Sequence, residues 1–238
     1  MSNTLLYYLN KRLEHERLHQ PERGIPGPII TISREVGCNG VQFANILASA
    51  LNDKKIYPEW KVLSKDIFYQ SAKELDVEPE RVRNIFKQED SYALNDILNA
   101  FGTRRFKSEQ KITRTVKDVI KTFANEGFYI IVGRAAHIIA HDIKNALHLR
   151  FIAPVEYRIK TISENKQLNR EEAINFINRV EKERQAFRKA IGYSGTEDDL
   201  FDMFINKSSF TDRETIDLIL RAADHKNIFR DYSNRKLI

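Results

Sequence analysis

Ser33, Arg34, Gly37 and Gly40 lie in one stretch, ITISREVGCNGVQFANILASAL, that begins as a β-branched run and ends at helical spacing. A glycine-bearing loop between a buried strand and a helix can cradle an anion. The helix amino terminus offers unpaired N–H groups and a partial positive charge, and glycine lets the backbone come close. The natural occupant of such a cup is a phosphate. Only nine glycines occur in the 238 residues, so Gly37 and Gly40 at one strand-to-helix junction carry some information. A glycine in a tight turn also serves structure alone, and the pair by itself is a weak signal.

Other residues with chemistry to offer stand at comparable places. Gly133 and Arg134 directly follow the buried run FYIIV, where an arginine must reach solvent or an anion because burying it unpaired is costly. Asp66 follows a second strand and either orients a hydroxyl, holds a metal-bound water, or is a first-turn charge on a helix. Glu181, Arg184 and Arg188 recur at spacings of three and four, on one helix face. That face is either a salt-bridged exposed surface or part of a lid, and Arg114 and Arg158 are further helix-borne cations. His137 and His141 are four apart but no third ligand is evident, so no metal site is assigned. Cys38 reads as packing within the loop.

The elements that must position these groups alternate along the chain. Residues 4–19 read as an amphipathic helix and QPERGIPGP, 20–28, as a linker. A strand over Ile29–Ile32 leads through a polar loop into a helix carrying Phe43, Ile46, Leu47 and Ala50. A second strand is expected around Lys61–Leu63. A long helical stretch follows, with stripes through Leu94, Ile97, Leu98 and Phe101 and through Ile112, Val116, Val119, Ile120 and Phe123. Further strands are expected over 128–133, 146–154 and 202–210. Pro154 suits the first turn of the next helix, and a helix from 170 to 191 opens with Asn169 and Glu172 at capping-box spacing and closes at Gly192. Strands alternating with helices imply a parallel sheet whose ligands lie at the strands' carboxyl ends.

Composition agrees with one sizeable α/β core: 42% of residues are hydrophobic and 30% charged. The net charge of +6 arises from 39 Lys and Arg against 33 Asp and Glu. Either a pocket for polyanionic small molecules or an ordinary solvated surface accounts for it. No aromatic-rich single-strand motif accompanies the charge, so nucleic acid is not the expected partner. No apolar run approaches the roughly 20 residues needed to cross a bilayer. The single cysteine rules out an internal disulfide, and a cytoplasmic setting is expected.

ITISREVGCNGVQFANILA, followed by IIVGRAAHII, LRFIAPVEYRIKTI, VEKERQAF and FDMFINKSSF, resembles the cytidylate kinase-like family, a branch of the P-loop nucleoside monophosphate kinases. The resemblance runs from about Ile29 to Leu220. It implies an α/β P-loop NTPase fold, a three-layer sandwich with a parallel sheet, a helical acceptor-binding insertion over about 70–125 and a helical lid over about 155–195. The division implied is an appendage and linker at 1–28, the domain at 29–222 and a polar tail at 223–238.

Three groups of ordinary cytidylate kinases are missing from their places. Gly40 stands where the phosphate-binding lysine would be, Gln42 where the magnesium-binding hydroxyl residue would be, and Val132 where an aspartate would be. The branch pattern keeps a Ser-Arg pair before the glycines, here Ser33 and Arg34, and Arg34 becomes the natural substitute for the lysine. The resemblance then implies that Ser33, Arg34, Gly37, Cys38, Asn39, Gly40, Val41 and Gln42 hold ATP, with Mg2+ held mainly by the nucleotide. Arg34, Arg134, Arg184 and Asp66 would act in transfer. Asp66, Tyr69, Arg114, Gly133, Arg134, Glu181 and Arg188 would meet the acceptor, a nucleoside monophosphate or similar small molecule. Gln70 replaces an arginine that would grip the acceptor phosphate, and Ala135 replaces an acid after Arg134, which leaves the acceptor's identity open. Two rival readings stand beside transfer: a nucleotide-binding or sensing protein without turnover, and an interaction protein that keeps the fold and dimerises through its amino-terminal helix.

Overall fold

The computed structural model describes residues 27–54, 59–64, 117, 120–121, 123–193 and 195–229. The amino-terminal helix, the stripe through Leu94, the start of the stripe through Ile112, and the candidate residues Asp66, Tyr69 and Arg114 lie outside the described residues. Ile120 and Phe123, at the end of the second stripe, lie within them, Ile120 fully buried and Phe123 edge to face with Tyr129.

Five parallel strands form one sheet in the order β2-β3-β1-β4-β5. They are β1 (Ile29–Arg34), β2 (Lys61–Leu63), β3 (Tyr129–Val132), β4 (Ala146–Ile152) and β5 (Met203–Asn206). β1 is central, in register with β3 through Ile32↔Val132 and with β4 through Ser33↔Arg150 and Arg34↔Phe151. The chain leaves β1 toward one side of the sheet and returns over it from β3 to β4. The carboxyl end of β1 is thus a switch point, where sheets of this kind bind ligands.

The β-branched and aromatic character of β1, β3 and β4 suits their burial on both faces, while the edge strands β2 and β5 are partly exposed. Ile30, Ile32, Ile130, Val132, Leu147, Leu149, Phe151 and Ile205 share one core with Phe43, Ala44 and Leu47 of α1 (Gly40–Asp53) and with Ile219, Leu220 and Ala223 of α5 (Asp212–His225). Phe43 meets Phe151 edge to face at 5.0 Å, an arrangement contributing about 1 kcal/mol beyond burial. α2 (Ala136–Ile139) packs against β1.

α3 (Val155–Lys166) and α4 (Arg170–Ile191) pack against each other. α4 has the expected limits because its ends are chemically marked. The Asn169 side chain accepts the Glu172 N–H at 3.0 Å, Glu172 accepts the Asn169 N–H at 2.8 Å, and Gly192 ends the helix at φ 78°. Pro154 is the cap of α3 and not its first residue, the helix beginning at Val155. At the other end of the chain, α5 runs past position 222 to His225, and Ile228 and Phe229 join the core. Part of the stretch read as a polar tail is therefore core.

Candidate functional site

The loop after β1 is held by charges from α3 and α4. Glu35 accepts the Ala153 N–H at 3.0 Å and lies 3.4 Å from Arg158 Nε. Gly37 adopts φ +97°, and a Cβ there would stand 2.8 Å from the Arg158 Cα. Glycine is thus required both by the backbone angle and by the close approach of α3. Cys38 donates its N–H to the Glu35 carbonyl at 3.3 Å, closing a turn. Asn39 follows in the left-handed region at φ 44°, where asparagine is tolerated better than most residues, and its Oδ1 accepts Asn165 Nδ2 at 3.2 Å. No side chain caps the first turn of α1, which opens at Gly40, Val41 and Gln42. Its leading N–H groups are therefore free to face an anion.

Arg34 lies across this opening. A Cβ built on Gly40 would meet its Cγ at 3.0 Å and its Cδ at 3.1 Å, while one on Gly133 would collide with its Nη1. The side chain therefore runs over the start of α1 and ends at the turn after β3. That turn is brought there by the Gly133 N–H, which donates to the Ile32 carbonyl at 2.9 Å. Gly133, Arg134 and Ala135 have φ of 76°, 54° and 53°. Two consecutive non-glycine residues in the left-handed region store on the order of 1–3 kcal/mol each, strain of the kind that gathers at functional sites. Arg134 sets its guanidinium over the ring of Phe187 in α4 at 5.9 Å.

α4 reaches the loop through two side chains one turn apart. Glu181 Oε1 accepts the Val36 N–H at 2.6 Å, and Arg184 Nη1 donates to the Arg34 carbonyl at 2.8 Å; the two side chains are 3.8 Å from each other. Arg188 is placed differently: its Nε lies 2.8 Å from Glu197 Oε2, in the short 3-10 turn before β5. Glu197 also stands 3.7 Å from His137 Nε2. That contact is no ion pair, because burial and the nearby His148 push the His137 pKa down to about 3. Its ring stacks on Phe201 at 4.4 Å. Cys38 is 1% exposed, and burial and Glu35 push its thiol up to about 11, so it is neutral packing and no nucleophile.

The structure thus gathers Ser33, Arg34, the loop from Gly37 to Gln42, Gly133, Arg134, Glu181 and Arg184 at one sheet edge, with Arg188 alongside. Glu35, Asn165 and Arg150 belong to the same region and were not singled out from the sequence. Arg150 and His148 had a readable signal, two polar residues in phase on one face of an otherwise apolar strand. Among the described residues, no three His, Cys, Asp or Glu side chains are grouped to hold a metal ion. None of the described helices is long and apolar enough to cross a membrane.

The model of the cytidylate kinase-like family matches residues 29–209, from the first residue of β1 to just beyond β5. The chain belongs to the cytidylate kinase-like family. A solved structure of an uncharacterized protein from Eubacterium ventriosum shares the fold, with a TM-score of 0.57 at 20% identity, covering 83% of this chain and 98% of that one. Two shikimate kinases are more remote. Those from Acinetobacter baumannii and Aquifex aeolicus each give a TM-score of 0.43 at 12% identity, covering 82% and 84% of this chain and 92% and 98% of theirs. No curated protein matches the sequence. As a cytidylate kinase-like protein the chain has an α/β P-loop fold and the architecture of kinase-like, nucleotide-binding proteins.

Proposed function

We propose that the protein transfers the γ-phosphoryl group of ATP to a nucleoside monophosphate of the cytidylate type, or to a similar small acceptor. The observation that carries this reading is Arg34, laid over an uncapped helix start and ending against Gly133. An acceptor oxygen attacks the γ-phosphorus while the bond from phosphorus to the β,γ-bridging oxygen breaks and ADP leaves. The protein's share of such a reaction is alignment and charge neutralisation. The N–H groups from Gly37 to Gln42, with Arg34, hold the donor phosphates. Arg134 and Asp66 meet the acceptor, helped by Tyr69, Arg114 and Gly133. Arg184, which holds the Arg34 carbonyl, would turn to the same phosphates during transfer, and Glu181 and Arg188 set the position of the lid helix. Magnesium, carried by the nucleotide and its waters, would add positive charge at the phosphates. A cytoplasmic setting suits such a reaction.

A second reading, nucleotide binding without turnover, is favoured by Gly40, Gln42 and Val132 in place of the lysine, hydroxyl and acid of ordinary cytidylate kinases. The deciding experiment is a transfer screen of ATP and GTP against all nucleoside monophosphates and a set of small hydroxyl compounds. Acceptor-dependent formation of nucleoside diphosphate from the donor supports the first reading. Binding of ATP with no transfer to any acceptor supports the second, and failure to bind any nucleotide removes both.

A further inference from the structure

The face of β1 and β4 turned away from α1 is polar where a core face would be apolar. Thr31 stands opposite His148, with Oγ1 and Nδ1 2.7 Å apart; one step nearer the carboxyl edge, Ser33 stands opposite Arg150, whose Nη1 donates to Ser33 Oγ at 2.8 Å. His148 asks for nothing more, since its ring is buried and neutral and its backbone N–H is held by Asp202 at 2.7 Å. Arg150 is different. Of its five donors one is used on Ser33, and its guanidinium faces the Phe201 ring at 6.0 Å.

The acids around Arg150 are engaged elsewhere. Glu35 holds the Ala153 N–H and Arg158, Glu181 holds the Val36 N–H, and Glu197 holds Arg188. Among the described residues none of them is within ion-pair distance of Arg150: Glu181, Glu35 and Glu197 act on it only from farther off, and Arg188 opposes them with a second positive charge. The Arg150 side chain is half-buried and its remaining N–H groups open to solvent, so an incoming anion can take them while offsetting the neighbouring cation. Its planar fork fits an oxyanion through two parallel hydrogen bonds. Ser33, having accepted from Arg150, still has its own O–H to donate.

We propose that Arg150 and Ser33 form a second oxyanion site, across β1 from the cup that Arg34 covers, and that it takes the phosphate or carboxylate of the acceptor. Neighbouring residues of one strand point to opposite faces, so Ser33 and Arg34 serve two anions from one strand end. That the anion belongs to the acceptor rests on the proposed transfer; that Arg150 binds an oxyanion does not.

The test is calorimetric titration of inorganic phosphate, at constant ionic strength, into wild type, Arg150→Gln and Arg150→Lys, with and without saturating β,γ-imido-ATP. Without imido-ATP the cup can take a phosphate of its own; with the cup filled, wild type is expected to bind one phosphate, at Arg150. Arg150→Gln should weaken it by at least about tenfold and leave imido-ATP binding unchanged. Arg150→Lys keeps the charge without the fork, is the variant less apt to disturb folding, and should weaken phosphate several-fold. Three results overturn the site: no phosphate bound by wild type, equal affinity in wild type and both variants, or complete displacement of phosphate by imido-ATP. If imido-ATP itself does not bind, the donor reading falls, and the comparison of wild type with the Arg150 variants still decides the site.

Discussion

The guanidinium of Arg34 occupies the space into which a side chain at Gly133 would have to project. Two residues far apart in sequence therefore constrain each other: the arginine can lie over the start of α1 only because the turn after β3 has no Cβ.

Replacing Gly133 with alanine should displace Arg34 and strain a backbone held at φ 76°. Chemical denaturation should register a loss of about 1–3 kcal/mol. ATP affinity measured by calorimetry should fall with it, and unchanged affinity would separate the arginine's position from nucleotide binding.

ATP with magnesium should raise the thermal stability of wild type. Ligand at about a hundred times its dissociation constant contributes about 2.7 kcal/mol. The shift should be much smaller in Arg34→Ala and intermediate in Arg34→Lys, which keeps the charge but not the fork. Equal shifts in wild type and Arg34→Ala would remove this residue from the donor site.

Glu181→Gln exchanges a charge-assisted hydrogen bond for a neutral one at the Val36 N–H. Hydrogen exchange at the Val36 amide should quicken by about tenfold, with little change at the amides of β3. Undiminished protection at Val36 would show that the contact does not hold the loop.

Acid should destabilise the protein well above the carboxylate range. Burial lowers the pKa of His148 to about 4 and of His137 to about 3, against an ordinary value of 6.5. Between 6.5 and these values the unfolded chain binds the protons and the native state does not. The contribution is thus present at neutral pH and lost as pH falls through that window, at about 2 kcal/mol for each ring by pH 5. Urea unfolding at pH 7 and pH 5 checks this, and His137→Phe should remove roughly half of the difference.

Much of the scaffold could be read from the chain because its signals are local. The run IITIS, the run YIIV and the Asn169–Glu172 pair with Gly192 each specify an element through neighbours in sequence. Charged side chains that find their partners across the fold are another matter. Glu181 and Arg184 share a helix face, as their spacing predicts, but nothing in EKER says that each ends on a main-chain group of the β1 loop. The left-handed backbone at Arg134 and Ala135 is likewise imposed by the Gly133 link to β1, since neither residue type favours it. Ile228 and Phe229 look like isolated apolar residues in a polar segment until α5 delivers them to the core.

Glu181 and Arg184 grip an amide and a carbonyl, groups that every amino acid but proline supplies alike. Through these two contacts α4 follows the path of the loop's backbone. An exchange of side chain at position 34 or 36 therefore leaves in place the main-chain groups that Arg184 and Glu181 hold.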